Sequence, residues 1–340
     1  MMENNNTFIV AELSANHASN MNVIKGSIEK AKEIGCDAVK IQTLSPDGIT
    51  LDCDNEYFRV DTGTLWDGTT LYDLYNRAYL PWEWHQEIFD YAREKDIILF
   101  SSPFDKLAVD LLESCGNPIY KIASFEITDI PLIRYIAKKG KPVIISTGIA
   151  TEEEISDAVN ACRKEGNRQI TLLKCTSEYP ARLDDVNLMT MVDMKKRFGT
   201  EIGLSDHTLG ISASVAAATL GARVIEKHFI LDKNIDSLDA AFSMDPNEFA
   251  VMIKMIRDIE KAKGEVTYEL NERALNSRKY ARSLFVVEDV KAGDRVNEKN
   301  VRSIRPSNGM PPKYYDNIKG KTFKYDVKKG TPLKDEVLNK

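Results

Sequence analysis

The 340-residue sequence has little of several features that would assign it to specialised classes of protein. No window approaches 18 uninterrupted apolar residues, so a transmembrane helix is not expected, and the first residues lack the regions of a signal peptide. Positive charge is not in excess, since 46 Lys and Arg face 52 Asp and Glu, which argues against a nucleic-acid-binding protein. The five cysteines form no CxxC pair, which favours free thiols in a reducing cytoplasm.

What the sequence does contain is a regular alternation of short apolar runs and longer amphipathic segments over residues 8–262. The runs have the near-continuous hydrophobicity of parallel strands buried on both faces. They are residues 8–14, 38–43, 97–103, 119–124, 142–148, 170–177, 201–207 and 223–229. Between them, Thr151 and Glu154 form a capping box, and Gly35 and Gly166 stand where helices end. Eight such units predict a (β/α)8 TIM barrel, with an open doubly wound α/β sheet as the alternative.

The pattern divides the chain into three parts. Residues 1–262 are predicted to form the catalytic TIM barrel, 263–282 a charged helical linker, and 283–340 a small, mostly β domain. Within the barrel, the long segment 44–96 is rich in aromatic and turn residues. It is either a partial lid over the catalytic face or a packed surface excursion.

Chemistry in such a barrel lies at the carboxyl ends of the strands, and all eight runs end in polar residues. The lysines and hydroxyls among them are Lys40, Lys121, Lys174, Ser102, Ser124, Ser146 and Ser205, and Gln42 is a further substrate-binding candidate. Three ammonium groups in a small space repel each other unless an anion joins them, so this set predicts a pocket for phosphate, with or without a carboxylate. A Schiff-base lysine is the competing interpretation of any single lysine.

Only four histidines are present, and two of them end neighbouring runs. His207 ends the seventh run and His228 lies near the end of the eighth, and these strands adjoin in a parallel barrel. Their imidazoles could bind a divalent metal and leave positions open for water and substrate, while Glu12 on the first strand could hold an outer-shell water. The alternative is a pair of hydrogen-bonding core histidines.

The sequence resembles the sialic acid synthase family over essentially its whole length, in the segments AELSANH, AVKIQT, FSSPFD, YKIASFEITDIPLI, ISTGIAT, KCTSEYP, GLSDHTLGI and VIEKHF. Residues after 282 resemble that family's antifreeze-like (SAF) domain, through RSLFV, KAG and VRSIRP. Within the family, the resemblance is greatest to the branch that makes pseudaminic acid, in WDGTTLYDLY, PWEW and DAAFS. Ser177 stands where N-acetylneuraminate synthases have Asn, which weakens an assignment to that branch.

The resemblance implies a transferase that condenses phosphoenolpyruvate with 2,4-diacetamido-2,4,6-trideoxy-L-altrose and water. Carbon–oxygen cleavage would give pseudaminic acid and phosphate. It also implies a divalent metal, Mn²⁺ or Mg²⁺, and a domain-swapped homodimer in which the SAF domain of one chain reaches the barrel mouth of the other. No nucleic acid or membrane partner is expected. The alternatives are an N-acetylneuraminate or legionaminic acid synthase, a Schiff-base aldolase, and a non-catalytic sugar-binding protein.

Carried over residue by residue, the resemblance implies that His207 and His228 are the metal ligands. The contacts to phosphoenolpyruvate fall on Lys40, Ser102, Lys121, Ser124, Ser146, Ser177 and Ser205. Glu12, Tyr179 and Asp239 fall on sugar-side or catalytic positions. Arg305 falls on the arginine that reaches the partner's site, for which a surface salt bridge is the alternative. The charges of the reaction require a proton for the new alkoxide, and Glu226 or a metal-bound water could give it.

Overall fold

A computed structural model describes residues 6–61, 63 and 66–339, and it divides the chain after Gly264 into two compact units. In the first unit, parallel strands pair in chain order and the last pairs with the first, which closes a barrel. The strands are β1 (Phe8–Glu12), β2 (Ala38–Thr43), β3 (Ile98–Pro103), β4 (Tyr120–Ile122), β5 (Val143–Ser146), β6 (Ile170–Cys175), β7 (Glu201–Asp206) and β8 (Val224–His228). The TIM barrel predicted from the apolar runs is confirmed, and the open sheet is excluded.

Helices follow the strands and have the end signals that the sequence carries. They are α1 (Met21–Glu33), α2 (Pro46–Ile49), α3 (Leu71–Ala78), α4 (His85–Glu94), α5 (Lys106–Ser114), α6 (Ile130–Ala137), α7 (Glu152–Lys164), α8 (Leu188–Phe198), α9 (Ser212–Thr219) and α10 (Pro246–Lys263). The capping box at the start of α7 is confirmed, because Thr151 and Glu154 each accept from the other's backbone N–H. Gly166, with φ of 83°, follows the end of this helix as expected.

The barrel interior consists of an apolar layer beneath a polar one. Inner-facing apolar side chains form a cluster made of Phe8, Val10, Ala38, Phe100, Ile119, Ile144, Leu173 and Val224. Because side chains alternate along a strand, residues two positions further on face the same interior. These residues are Glu12, Lys40, Ser102, Lys121, Ser146, Cys175 and Glu226, and on β7 Ser205 follows the inner-facing Gly203 in the same way. The apolar layer therefore forms a dry floor under the polar groups at the carboxyl ends of the strands.

The segment between β2 and α4 is an insertion that contains α2 and α3. Two buried histidines anchor it: the His17 Nε2 lies 3.2 Å from the Ala78 carbonyl oxygen, and His85 lies within hydrogen-bond distance of Thr43 and Pro81. His17 and His85 therefore hold the fold together at this point.

The second unit has its own apolar core but little regular sheet. Strands β9 (Ser283–Val286) and β10 (Val301–Ile304) are antiparallel, and isolated bridges such as Val290 with Val327 extend the pairing. The helices are α11 (Glu272–Arg278) and α12 (Tyr315–Ile318). The prediction that the linker is helical is wrong for much of its length. Gly264, with φ of 48°, ends α10, and between Gly264 and β9 only α11 is helical. Among the described residues, no helix combines the length and apolar character that a membrane span requires.

Candidate active site

The centre of the polar layer is a network of two lysines and two glutamates. Lys40 Nζ lies 2.8 Å from Glu12 Oε2 and 3.8 Å from Glu226 Oε1, and Lys121 Nζ lies 3.5 Å from Glu226 Oε1. All four side chains are almost entirely buried. Ser205 Oγ also donates to Glu226 Oε1. The two cations are thus balanced by two carboxylates within the protein.

The prediction of three clustered lysines is wrong. Lys174 lies between Leu173 and Cys175 on β6, and the alternation of side chains turns it to the outer face of the barrel. There its Nζ donates to the carbonyl oxygen of Cys175. The physical reason given for an anion, mutual repulsion of three ammonium groups, therefore does not hold, because Glu12 and Glu226 neutralise the two that remain.

Burial and charge give the two glutamates opposite properties. Burial raises the pKa of Glu12, and Lys40 offsets this only in part. Burial also acts on Glu226, but Lys121 and Lys40 outweigh it and lower the pKa of Glu226. Glu12 is therefore the more readily protonated of the two carboxyls, and Glu226 is the more firmly ionised.

The same two effects separate the lysines. Burial lowers the pKa of Lys121, and Glu226 offsets this only in part. Burial acts on Lys40 as well, but Glu12 and Glu226 outweigh it and raise the pKa of Lys40. Lys40 is therefore the more firmly charged of the two cations.

A narrow cradle of hydroxyl groups adjoins this network. Ser124 Oγ accepts from the backbone N–H of Gly148, the residue two positions after β5. A Cβ at this glycine would lie 2.1 Å from Ser177 Oγ and 2.9 Å from Ser124 Oγ, so a larger residue would displace these hydroxyls. Ser146 Oγ is buried with no hydrogen-bond partner among the described residues. Backbone and hydroxyl donors so close together suit the oxygens of a phosphate.

The two histidines meet at the adjoining ends of β7 and β8. Their ring centroids are 5.3 Å apart, and the Tyr179 ring lies 4.4 Å from that of His207. His207 Nδ1 lies 2.9 Å from the Thr176 carbonyl oxygen, which fixes the ring and leaves Nε2 for a ligand. Burial and the nearby His207 lower the pKa of His228 well below its ordinary value, so this imidazole is neutral.

These residues fit a divalent metal. His228 Nδ1 is buried with no hydrogen-bond partner in the described part of the chain, and Asp239 Oδ2 lies 3.7 Å away. Among residues 6–61, 63 and 66–339, no three His, Cys, Asp or Glu side chains are grouped to hold an ion by themselves. Two imidazoles would therefore be the protein ligands of the ion, and its other coordination positions would be left for substrate and water.

A cavity of about 200 Å³ opens beside the histidines. On one side it is lined by Ser14, Gln42, Tyr179, His228 and Asp239. Gln42 Nε2 donates to Ser14 Oγ and Glu12 Oε1, and Asp239 Oδ2 accepts from the backbone N–H of Ala15. Ser14 has φ of 44°, a left-handed conformation that costs a non-glycine residue energy and is concentrated at functional sites.

The insertion between β2 and α4 supplies the other side of this cavity through residues such as Leu44, Ile49 and Leu74. This position favours the functional interpretation of the long segment over a packed surface excursion. Glu126, also on this side, and Gly148 were not singled out from the sequence, where each is one residue within a longer motif.

The structure thus brings together at one barrel mouth every predicted site residue except Lys174 and Arg305. Those residues are Glu12, Lys40, Gln42, Ser102, Lys121, Ser124, Ser146, Ser177, Tyr179, Ser205, His207, Glu226, His228 and Asp239. Arg305 directly follows β10, is exposed, and belongs to the second unit.

Comparison with known proteins identifies relatives over both units. A model of the NeuB family matches residues 27–268, and a model of the SAF domain matches residues 281–338. A pseudaminic acid synthase of Campylobacter jejuni is 48% identical over 96% of this chain and 95% of that protein. A pseudaminic acid synthase of Helicobacter pylori is 46% identical over 98% of each. The crystal structure of N-acetylneuraminic acid synthetase from Leptospira borgpetersenii has a TM-score of 0.70 and 29% identity, covering 80% of this chain and 90% of that one.

Proposed function

Because the chain belongs to the NeuB family, we propose that it catalyses the reaction of a pseudaminic acid synthase. The substrates are phosphoenolpyruvate, 2,4-diacetamido-2,4,6-trideoxy-L-altrose and water, and the products are pseudaminic acid and phosphate. The observation that carries this proposal is that the hydroxyl cradle, which suits phosphate oxygens, and the buried lysines meet the His207–His228 pair at one barrel mouth.

The anion subsite binds and orients phosphoenolpyruvate. Lys40 and Lys121 pair with its carboxylate and phosphate, while the Ser124–Gly148–Ser177 cradle donates hydrogen bonds. This places the enol carbon C3 toward the cavity that holds the sugar. Because the site lies on a dry apolar floor, these charge-assisted contacts are stronger than they would be in water.

Chemistry then joins C3 of phosphoenolpyruvate to the aldehyde carbon of the open-chain sugar, and positive charge develops at C2. Water adds at C2, and cleavage of the bond from C2 to the bridging oxygen releases phosphate. We assign the proton for the new alkoxide to Glu12, whose pKa burial raises, whereas the sequence left this role open between Glu226 and a metal-bound water. The ionised Glu226 holds the ammonium of Lys121 in place.

Sialic acid synthases of the NeuB family are generally metal-dependent. His207 and His228 would hold the ion, Mn²⁺ or Mg²⁺, and when bound it supplies Lewis-acid polarisation of the aldehyde. The family resemblance further supports a domain-swapped homodimer in which Arg305 enters the partner's site. The five free cysteines are compatible with the reducing cytoplasm that we propose as the location.

The test is phosphate release from phosphoenolpyruvate with a panel of acetamido sugars: the diacetamido altrose, a bacillosamine-type sugar and N-acetylmannosamine. We expect the altrose derivative to be turned over fastest. With ¹⁸O in the bridging oxygen of phosphoenolpyruvate, the label must appear in the released phosphate. Preference for N-acetylmannosamine would instead assign the chain to the neuraminate branch, and label retained in the sugar acid would contradict the carbon–oxygen cleavage.

A Schiff-base aldolase is the second candidate, because burial lowers the pKa of Lys121 and so favours a nucleophilic amine. Borohydride in the presence of substrate would trap such an enzyme as a covalent adduct of Lys121. We expect no adduct by mass spectrometry, since Lys121 is paired with Glu226.

A further inference from the structure

One side of the active-site cavity is apolar, and none of the steps above uses it. We call this side the apolar wall, and its residues are Leu44, Ile49, Leu74, Ala78, Phe104 and Phe125. They come from the β2–α4 insertion and from the segments after β3 and β4. In the order of strands around the barrel, β3 and β4 lie opposite β7 and β8, which carry the histidines, and β2 lies next to β3.

Helix α3 shows that the wall is more than ordinary packing. Thr70 caps this helix through the backbone N–H of Asp73, and Leu74, Tyr75 and Ala78 lie on one helical face. This face lines the cavity with apolar side chains, yet no residue of α3 is buried. An apolar helix face against an open cavity gains free energy only when an apolar group fills the space.

A single carboxyl interrupts this wall. Glu126 lies in the 3₁₀ turn after β4, and its Oε2 is buried with no hydrogen-bond partner among the described residues. Its charge contributes to raising the pKa of the neighbouring Tyr75, after burial, so the two side chains are close. A buried acceptor without a donor is costly, and a ligand that brings an N–H or O–H removes that cost.

We propose that the apolar wall and Glu126 form a specificity subsite for the end of the sugar remote from its aldehyde. The wall contacts the C6 methyl group, and Glu126 accepts the N–H of the C4 acetamido group. This inference rests on the proposed function, because the aldehyde must lie at the histidines for the remote end to reach the wall. A sugar with hydroxyl groups at C4 and C6 would place polar groups against the wall and lose the amide donor.

The experiment measures kcat/KM with three sugars: the diacetamido-trideoxy altrose, its analogue with hydrogen in place of the C4 acetamido group, and its 6-hydroxy analogue. Glu126→Ala should lower kcat/KM for the first sugar at least about tenfold, the range for a lost hydrogen bond to a charged group. For the analogue without a C4 donor the loss should stay under about threefold. Glu126→Gln keeps an acceptor oxygen and should lose less, and Glu83→Ala, an exposed glutamate of the same insertion, is the control.

The wall has a matched pair of variants. Leu74→Ser should reduce the preference for the 6-methyl over the 6-hydroxy sugar about tenfold, as expected for one methyl group in an apolar pocket. Leu51→Ser changes an exposed leucine of the same insertion that does not line the cavity, and should leave the preference unchanged. KM for phosphoenolpyruvate should stay constant throughout.

The outcomes separate the two proposals. If the unmodified enzyme releases no phosphate with any of the three sugars, the proposed function fails. If it turns over the diacetamido sugar but Glu126→Ala and Glu126→Gln slow all three sugars equally, the carboxyl has a structural role and the subsite is wrong. Equal melting temperatures of the variants would ensure that the ratios are compared between folded proteins.

Discussion

At the residue scale, two carboxylates occupy the space around the ammonium groups of Lys40 and Lys121. An incoming phosphoenolpyruvate must compete with them for the same cations. The competition is eased because burial favours the protonated form of Glu12, which then repels no phosphate oxygen. With both carboxylates ionised the layer is neutral, and a proton taken up by Glu12 leaves one net positive charge for the incoming anion.

Lys121→Ala should reduce kcat/KM for phosphoenolpyruvate by roughly 30-fold or more, since a buried charge-assisted contact contributes on the order of 2–4 kcal/mol. Steady-state kinetics with varied phosphoenolpyruvate measures this. Lys174→Ala is the matched control, because that lysine faces away from the barrel interior, and its effect should stay below about threefold. A change under threefold in Lys121→Ala would place this residue outside the pocket.

Removal of the metal should abolish turnover. We expect activity to disappear in excess EDTA and to return with Mn²⁺ or a similar ion. His207→Ala and His228→Ala should each lose Mn²⁺ binding in calorimetry, because each removes one of two protein ligands, with the fold retained by circular dichroism. The control is His17→Gln, which changes a histidine that anchors the insertion. Full activity in EDTA would overturn the metal assignment.

Glu126 should make stability depend on pH. Burial, only partly offset by Lys121, raises its pKa from an ordinary value of 4.5 to about 7. The folded state thus binds this proton more tightly than the unfolded chain, so its contribution to stability is present below about pH 4.5 and is lost as pH rises through about 7. Glu126→Gln should therefore raise the melting temperature relative to the unmodified protein more at about pH 8.5 than at about pH 5. The same difference at both pH values would contradict the shifted pKa.

At the scale of elements, the side chains of β7 and β8 alternate between the active site on the inner face and contacts that stabilise the two strands on the outer face. Ser205, His207, Glu226 and His228 face the site, while Asp206 and Lys227 face outward and form a buried ion pair of 2.9 Å. Further hydrogen bonds from Thr208 and Ser214 satisfy Asp206. The pair ties the two strands together directly behind the histidines, so the spacing of the imidazoles depends on it.

Gly203 on β7 tests how closely these strands must pack. A Cβ here would lie 2.3 Å from the Val224 carbonyl oxygen, a backbone atom that cannot move aside alone. Gly203→Ala should therefore lower the free energy of unfolding by about 1–3 kcal/mol, measured by urea denaturation.

Gly26→Ala is the contrasting control for Gly203→Ala. This change meets only the flexible end of Leu231 and removes a glycine from the interior of α1, so it should be neutral or stabilising. A neutral Gly203→Ala would show that β7 and β8 have room to separate.

At the scale of the whole molecule, the chain consists of two units with separate cores. The barrel unit carries the lysine layer, the histidine pair and the cavity. The smaller unit carries Arg305, exposed directly after β10. Its guanidinium is always charged and can donate paired hydrogen bonds to carbonyl or hydroxyl oxygens of a sugar.

Mixed subunits test whether Arg305 acts on a partner's site, as the family resemblance implies. Arg305→Ala and Lys121→Ala should each be nearly inactive alone. After subunit exchange, half of the dimers are mixed and one of their two sites is whole, so activity should return to at most about a quarter of the unmodified level. Exchange is verified by native mass spectrometry. No regain after verified exchange would mean that Arg305 acts within its own chain or not at all.

Sequence patterns predicted much of this structure because the signals are local. The eight apolar runs lie within one or two residues of β1 to β8 at most ends, since parallel strands buried on both faces need continuous hydrophobicity. Polar residues at the run ends predicted most of the site, because the carboxyl ends of all the strands meet at one mouth of the barrel. The prediction for Lys174 was wrong because a position at a strand end does not tell which face of the barrel wall a side chain occupies. The alternation of side chains gives the face only once the inner-facing residues are known.

The sequence by itself determined the barrel, the family and the adjoining positions of His207 and His228, because these follow from the order and spacing of residues along the chain. Only the tertiary structure decided which charges meet. The pairing of Lys40 with Glu12, the opposite pKa shifts of Glu12 and Glu226, and the unpartnered carboxyl of Glu126 depend on distances between strands far apart in sequence. Coulombic energy and desolvation vary steeply with such distances and with burial, and neither is written in the order of the residues.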